Sequence, residues 1–269
     1  VIRGRGERVA PEIEITGGTI DMSNANITSG GAAAAAPAQP VKLSLDRLIV
    51  SKGITLTGVR GDFDFGGGLH GQFTASVDGG AAIRGTMAQT ESGAAFRITS
   101  TDAGGVLRGA GVYENARGGT LELVLAPGGG AGRYEGDFTI KDTRVTNSPT
   151  VLELLSAVSV VGLLDQAQGE GLGFSTIEGR FAITPQGVTL YRSSATGISL
   201  GISLDGYYDL ENGTVDMQGV LSPFYILNGL GRILSPRDGE GLIGFNFTVK
   251  GDFTDPSVGV NPLSILTPG

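Results

Sequence analysis

Apolar and polar residues alternate with period two along much of the chain, and the alternation is cleanest between Ile177 and Phe253. Ile177, Gly179, Phe181 and Ile183 share one side of an extended segment, with Glu178, Arg180 and Thr184 on the other. Ile198, Leu200, Ile202, Leu204 and Gly206 repeat the pattern against Ser199, Ser203 and Asp205, and Ile243, Phe245, Phe247, Val249, Gly251 and Phe253 continue it. Successive side chains of a strand point to opposite faces, so these runs predict sheets with one apolar and one wet surface. Two turns join them. Thr184-Pro185-Gln186-Gly187 carries the Pro and Gly of a tight turn, and Glu211-Asn212-Gly213 is a strong hairpin signal linking Tyr208 to Val215.

The first half shows shorter runs of the same kind. Val41 to Thr57, Phe63 to Phe65, Gln72 to Val77, Ala82 to Gln89, Ala95 to Ser100, Val106 to Tyr113, Thr120 to Leu125 and Tyr134 to Val145 are separated by Gly, Asp and Asn clusters. Strands at this spacing predict an antiparallel meander. Upstream, Ile13, Ile15, Ile20 and Ile27 sit around Gly17-Gly18 and predict a short hairpin, followed by a linker over Ser29 to Pro40 rich in Ala, Gly and Pro. Two helices are expected, each opened by Ser-Pro: Pro149 to Ala167, capped by Ser148, and Phe224 to Leu234 after Ser222-Pro223. The first is apolar around most of its circumference, but Glu153 and Asp165 argue against a membrane span, so it reads as a plug or lid on a sheet. The resulting division is a hairpin and linker over residues 1–40, a β-meander over 41–148, and a β-groove with two helices over 149–269, the last two forming one continuous domain.

Glycine supplies 47 of the 269 positions and charged residues 17%, against usual shares of roughly 7% and ~25%. With 40% hydrophobic residues the chain still has enough apolar surface to fold. A formal charge of −8 argues against a grip on nucleic-acid phosphates. Zero cysteines and a single histidine, His70, exclude thiolate and histidine-cluster metal sites and leave few routes to catalysis. Asp62 and Asp64 are the one visible carboxylate pair, and solvated strand-edge charges are the simpler account of them. Arg60-Gly61-Asp62 spells an integrin-type tripeptide without a stapled display loop, the glycine run before His70 lacks the strand-to-helix context of a phosphate cradle, and the three Asn-X-Thr matches carry little weight. No catalytic residue, metal or cofactor is expected. The start, Val1-Ile2-Arg3-Gly4-Arg5, has no initiator methionine or signal-peptide core and reads as part of something longer.

From about Gly105 onward the chain resembles the C-terminal region of AsmA-like proteins, an envelope family of Gram-negative bacteria that includes the TamB relatives. The resemblance rests on the ordered set Gly105-Val106-Leu107-Arg108-Gly109-Ala110-Gly111, Asn115-Ala116-Arg117-Gly118-Gly119, Leu154 to Leu164, Met217-Gln218-Gly219-Val220-Leu221-Ser222-Pro223, Asn228-Gly229-Leu230-Gly231, Gly239 to Phe245 and Val260-Asn261-Pro262-Leu263-Ser264. It implies a periplasmic body anchored in the inner membrane by a segment upstream, and a long antiparallel sheet curled into an open groove or half-barrel that conducts phospholipid between the two membranes. The partners implied are phospholipid acyl chains, with membrane contact through regions outside this chain; protein partners are not identified. The lipid-facing residues would be Phe181, Ile183, Ile198, Leu200, Ile202, Leu204, Ile243, Phe245, Phe247 and Val249. Gly179, Gly206, Gly219 and Gly251 would leave room for the chains. Two alternatives are an extracellular β-solenoid or adhesin-like structural protein, which lacks a visible repeat period here, and a carbohydrate-active sandwich, which lacks tryptophan.

Overall fold

The computed structural model describes residues 1–4, 10–23, 39–51, 53–66, 68–130, 132–158, 161–223 and 244–261. Among these the protein is mainly β, with seventeen strands and three helices. It divides into two compact units, Val1–Phe138 and Thr139–Gly269.

The first unit contains β1 (Ile2–Arg3), β2 (Glu12–Thr16), β3 (Thr19–Asp21), β4 (Pro40–Ser51), β5 (Ile54–Asp64), β6 (His70–Val77), β7 (Ala82–Thr90), β8 (Gly93–Ser100), α1 (Ala103–Gly109), β9 (Ala116–Arg117) and β10 (Thr120–Pro127). β4 to β8 form an antiparallel meander, as expected, but the run read over Val41 to Thr57 is divided, turning back between Ser51 and Ile54 into β5, which also takes in the run at Phe63; β10 pairs with β8. One face carries the core: Leu45, Leu56, Val59, Ala75, Val77 and Ile83 cluster together, and Val106 and Ala110 from the α1 region pack on them. β11 (Tyr134–Val145), with the bounds expected from sequence, holds the division between the units.

Two further expectations are corrected here. Gly17-Gly18 does not turn a hairpin. β2 and β3 both run parallel to β4 at a constant offset of 28 residues, from Ile13 against Val41 to Asp21 against Ile49, so they are one strand interrupted in line and the sheet is mixed rather than wholly antiparallel. Both glycines have positive φ, +72° and +86°, a conformation that costs other residues strain. The Asp46 carboxylate accepts the Gly18 N–H at 2.8 Å, while the Gly18 carbonyl accepts the amides of Asp46 and Arg47. At the same level the apolar positions of β4 and β5 change parity together, from Leu45 opposite Val59 to Leu48 opposite Leu56, which keeps the apolar face continuous through the jog.

The second correction is that Val106 to Tyr113 is not a strand. The chain there forms α1, capped by Asp102, whose carboxylate accepts the Gly105 N–H at 2.9 Å. Three glycines, Gly104, Gly105 and Gly109, make this a poor helix by propensity, but tertiary packing demands them. A Cβ on Gly104 would sit 2.7 Å from the Ala116 carbonyl, and one on Gly105 would meet the Ala81 methyl at 2.8 Å.

The second unit contains α2 (Pro149–Ala157), α3 (Val161–Gln168), β12 (Leu172–Ile183), β13 (Gly187–Gly197), β14 (Leu200–Asp209), β15 (Thr214–Pro223), β16 (Phe245–Asp252) and β17 (Ser257–Asn261). Each strand from β12 to β17 pairs antiparallel with the next. Both predicted turns are present: Thr184 N–H donates to the Gly187 carbonyl, and Tyr208 lies opposite Val215 across the Glu211-Asn212-Gly213 turn. Ser148 caps α2 with Pro149 in its first turn, as expected. The single helix expected over Pro149 to Ala167 is instead two: α2 ends at Ala157 with Val158 as its cap, and α3 begins at Val161. The second expected helix, 224–234, lies outside the described residues, as does nearly all of the 29–40 linker.

Candidate functional site

The register of the second unit sorts its strand residues into two faces. Leu200, Ile202 and Leu204 lie opposite Pro223, Leu221 and Gly219 on β15, and Leu221, Gly219 and Met217 lie opposite Phe245, Phe247 and Val249 on β16. Phe181 and Ile183 lie opposite Leu190 and Val188, which in turn face Gly206 and Tyr208. These residues therefore share one apolar face. Ser194, Ser203, Asp205, Gln218, Asn246 and Thr248 occupy the other.

A bulge protects this sorting. Tyr191 is an extra residue in β13, so Arg180 pairs with Arg192 while Phe181 pairs with Leu190. Tyr191 and Arg192 are both exposed, and the apolar positions on either side of them remain on one face.

Burial is graded along the strands. At the end where β12 begins, Leu172, Leu200, Leu221, Pro223 and Phe247 are buried; toward the other end Phe181, Ile183, Leu190, Leu204, Met217 and Val249 are half-buried, with half-buried Phe245 and buried Val215 as exceptions. The helix pair meets the sheet at its two outer strands, at the buried end. α3 leads directly into the Leu172 end of β12, α2 packs on α3 and on β17, and Leu154, Leu155, Leu163 and Ala167 of the pair are buried. The Asn147 N–H donates to the Ala167 carbonyl at 3.2 Å and ties the start of α2 to the end of α3. At the far end Tyr208 and Phe253 stack with ring centroids 4.8 Å apart.

Eight of the ten residues expected to face lipid lie on this apolar face: Phe181, Ile183, Leu200, Ile202, Leu204, Phe245, Phe247 and Val249. Ile243 lies outside the described residues. Ile198 does not belong to the strand. It sits in the turn between Gly197 and Leu200, 95% exposed, because pairing of β14 begins only at Leu200. The space expected at Gly206 and Gly219 is also corrected: a Cβ on Gly206 would meet the Met217 α-carbon at 2.6 Å, and one on Gly219 would meet the Phe247 ring at 2.6 Å. Gly251, by contrast, would have nothing within 4 Å of an added Cβ. Sequence reasoning left out Val188, Leu190, Met217, Leu221, Val258 and Val260, which complete the face; the alternation Val215, Met217, Gly219, Leu221 was the available signal for part of it.

The other candidates have structural roles. Asp64 accepts the amides of Gly66 at 2.6 Å and Gln39 at 3.1 Å, fixing the end of β5. His70 is exposed opposite Asp64, its Nδ1 within 3.0 Å of the Gly68 carbonyl. Arg60-Gly61-Asp62 lies inside β5 rather than in a loop. Resolved titration shifts fall mostly on exposed groups: Asn212 holds the Asp209 carboxyl below its ordinary value by hydrogen bonding, Thr254 does the same for Asp252 and Ser23 for Asp21, and a hydrogen bond to Glu12 raises Lys42. Among the described residues no group of three or more potential metal ligands converges, and no helix is long and apolar enough to cross a membrane.

No family model matches the chain, and no curated protein and no solved structure matches it.

Proposed function

We propose that this chain is the periplasmic part of an AsmA-like protein, anchored in the inner membrane by an upstream segment, and that it binds or conducts phospholipid along a curled β-groove. The observation that carries the reading is the six-strand apolar face of β12 to β17, buried at its helix end and half-exposed beyond it. Acyl chains are the natural cover for such a face, since apolar area left to water is costly at roughly 25 cal/mol per Å². The helix pair stops the groove at one end. No catalytic role is proposed.

Ile202 and Ser203 provide the test, because the register puts them on opposite faces of β14: Ile202 opposite Ala195 and Leu221, Ser203 opposite Ser194 and Val220. A photo-crosslinking residue at 202 is expected to capture phospholipid in cells, and one at 203 is not. Equal labelling, or none at either position, rejects the groove. Native mass spectrometry of the purified chain provides an independent readout through co-purified phospholipid.

One observation favours a second reading, a solenoid-like structural protein: the parallel in-register pairing of β2 and β3 with β4. That reading expects no lipid at position 202 and no loss of function from Ile202→Asp.

A further inference from the structure

The wet face of the first unit carries a depression of about 570 Å³ over β5 to β8, lined by Arg60, Asp62, Thr74, Arg84, Thr86 and Arg97 among others. Register brings these side chains together. Arg60 lies opposite Thr74 and Thr74 opposite Arg84; on the next rung Asp62 lies opposite Gln72, Gln72 opposite Thr86, and Thr86 opposite Arg97. Neighbouring strands lie ~4.8 Å apart, which sets the α-carbons of Arg60 and Arg84 about 10 Å apart, with Arg97 one strand and one rung further on. All three arginines are exposed. Arg97 meets Glu122 at 2.9 Å, and Arg60 and Arg84 make no ion pair among the described residues. Three guanidiniums therefore line one depression together with the Asp62 carboxylate, Arg97 being shared with Glu122, in a chain whose formal charge is −8.

We infer that this depression binds a phosphate-bearing anion, gripped by Arg60, Arg84 and Arg97 with hydroxyl donation from Thr74 and Thr86. The guanidinium fork matches two phosphate oxygens at once, a geometry a lysine cannot supply, and threonine hydroxyls add neutral donors between the forks. The site is on the opposite side of these strands from the Leu45, Val59 and Ile83 core, and in the other unit from the apolar face proposed to hold lipid. It does not rest on that proposal.

The full chain is titrated with glycerol 3-phosphate by calorimetry at low ionic strength, and separately sedimented with phosphatidylglycerol or phosphatidylcholine vesicles. Binding of glycerol 3-phosphate assigns a soluble phosphate; binding only of phosphatidylglycerol vesicles assigns a membrane headgroup. In either case Arg60→Gln with Arg84→Gln is expected to weaken binding at least about tenfold, the loss of two charge-assisted contacts. Asp62→Asn is expected to tighten it about two- to threefold by removing a like charge. Arg192→Gln, on the second unit, serves as the control and leaves binding unchanged. Each single substitution is expected to show part of the loss, and circular dichroism melting verifies that every variant folds. Absence of binding to all three probes, or equal binding by the wild type and the double variant, overturns the inference.

Discussion

Phe247→Ala measures how much of the apolar face is the protein's own core. Phe247 is 5% exposed and lies opposite Gly219 and Val260. Its ring crosses Gly219 so closely that an added methyl would contact two ring carbons at 2.6 and 2.9 Å. Glycine cannot fill the space the ring vacates, so truncation leaves a cavity as well as losing apolar burial. Large-to-small changes of this kind cost about 3–5 kcal/mol. Area gives a similar figure, since a buried phenylalanine removes ~150–200 Å² from water at about 25 cal/mol per Å², or ~4–5 kcal/mol. Urea unfolding followed by circular dichroism checks the value, with a lowered midpoint and an unchanged slope expected. Ile202→Ala, at a half-buried position, should cost clearly less. A loss below about 1 kcal/mol for Phe247→Ala would mean that the ring is not packed against the chain, and the burial gradient would lose its meaning as a boundary between core and groove.

Ser148→Ala removes the cap of α2 at a buried position and is expected to lower stability by about 1 kcal/mol, seen as a reduced thermal midpoint. Gly85→Ala drives a methyl into the Phe73 ring beside the first unit's core and should cost about 1–3 kcal/mol in denaturant unfolding. The depressed carboxyl of Asp209 binds protons less readily folded than unfolded, so its contribution is present above the ordinary value of 3.8 and is lost as pH falls through the lower folded value. Asp209→Asn should flatten that acid limb of the stability profile, and a limb left unchanged by the substitution, from about pH 5 downward, would exclude the turn as its source.

Much of the second unit is legible in the sequence because its pairings are local. Ser148-Pro149, the Glu211-Asn212-Gly213 turn and the alternation from Leu200 to Gly206 each specify structure within a few residues. The failures occur where distant contacts decide. Gly17-Gly18 is locally compatible with a hairpin, and only the partner 28 residues away makes it an in-line break. Gly104 and Gly105 lower the helix propensity of α1, but the approach of Ala116 and Ala81 requires them. Ile198 keeps the alternation into a turn that no longer belongs to the strand, and the Tyr191 bulge that holds Phe181 on the correct face has no local signature. The first unit's arginine set is invisible in the sequence for the same reason, since only strand pairing brings Arg60, Arg84 and Arg97 onto one face.

The abundance of glycine takes on a different meaning once the rings are placed. Phe73 lies over Gly85, Phe63 against Gly61 and Gly71, and Phe247 over Gly219. In each case an aromatic ring spreads across a position that has no side chain, so a chain with only 6% aromatic residues covers a wide sheet. Glycine at those positions supports core packing and leaves no channel. Under the proposed lipid reading, space for an acyl chain comes from positions without a ring overhead, and Gly251 is one of them. It stands opposite Val215 near the Tyr208 and Phe253 pair, at the end of the apolar face away from the helices. The burial gradient points the same way, from a closed end at Leu200 and Leu221 to half-buried Phe181 and Ile183. A lipid held by this face would therefore enter or leave at the Gly251 end, with the helix pair as a stop rather than a gate.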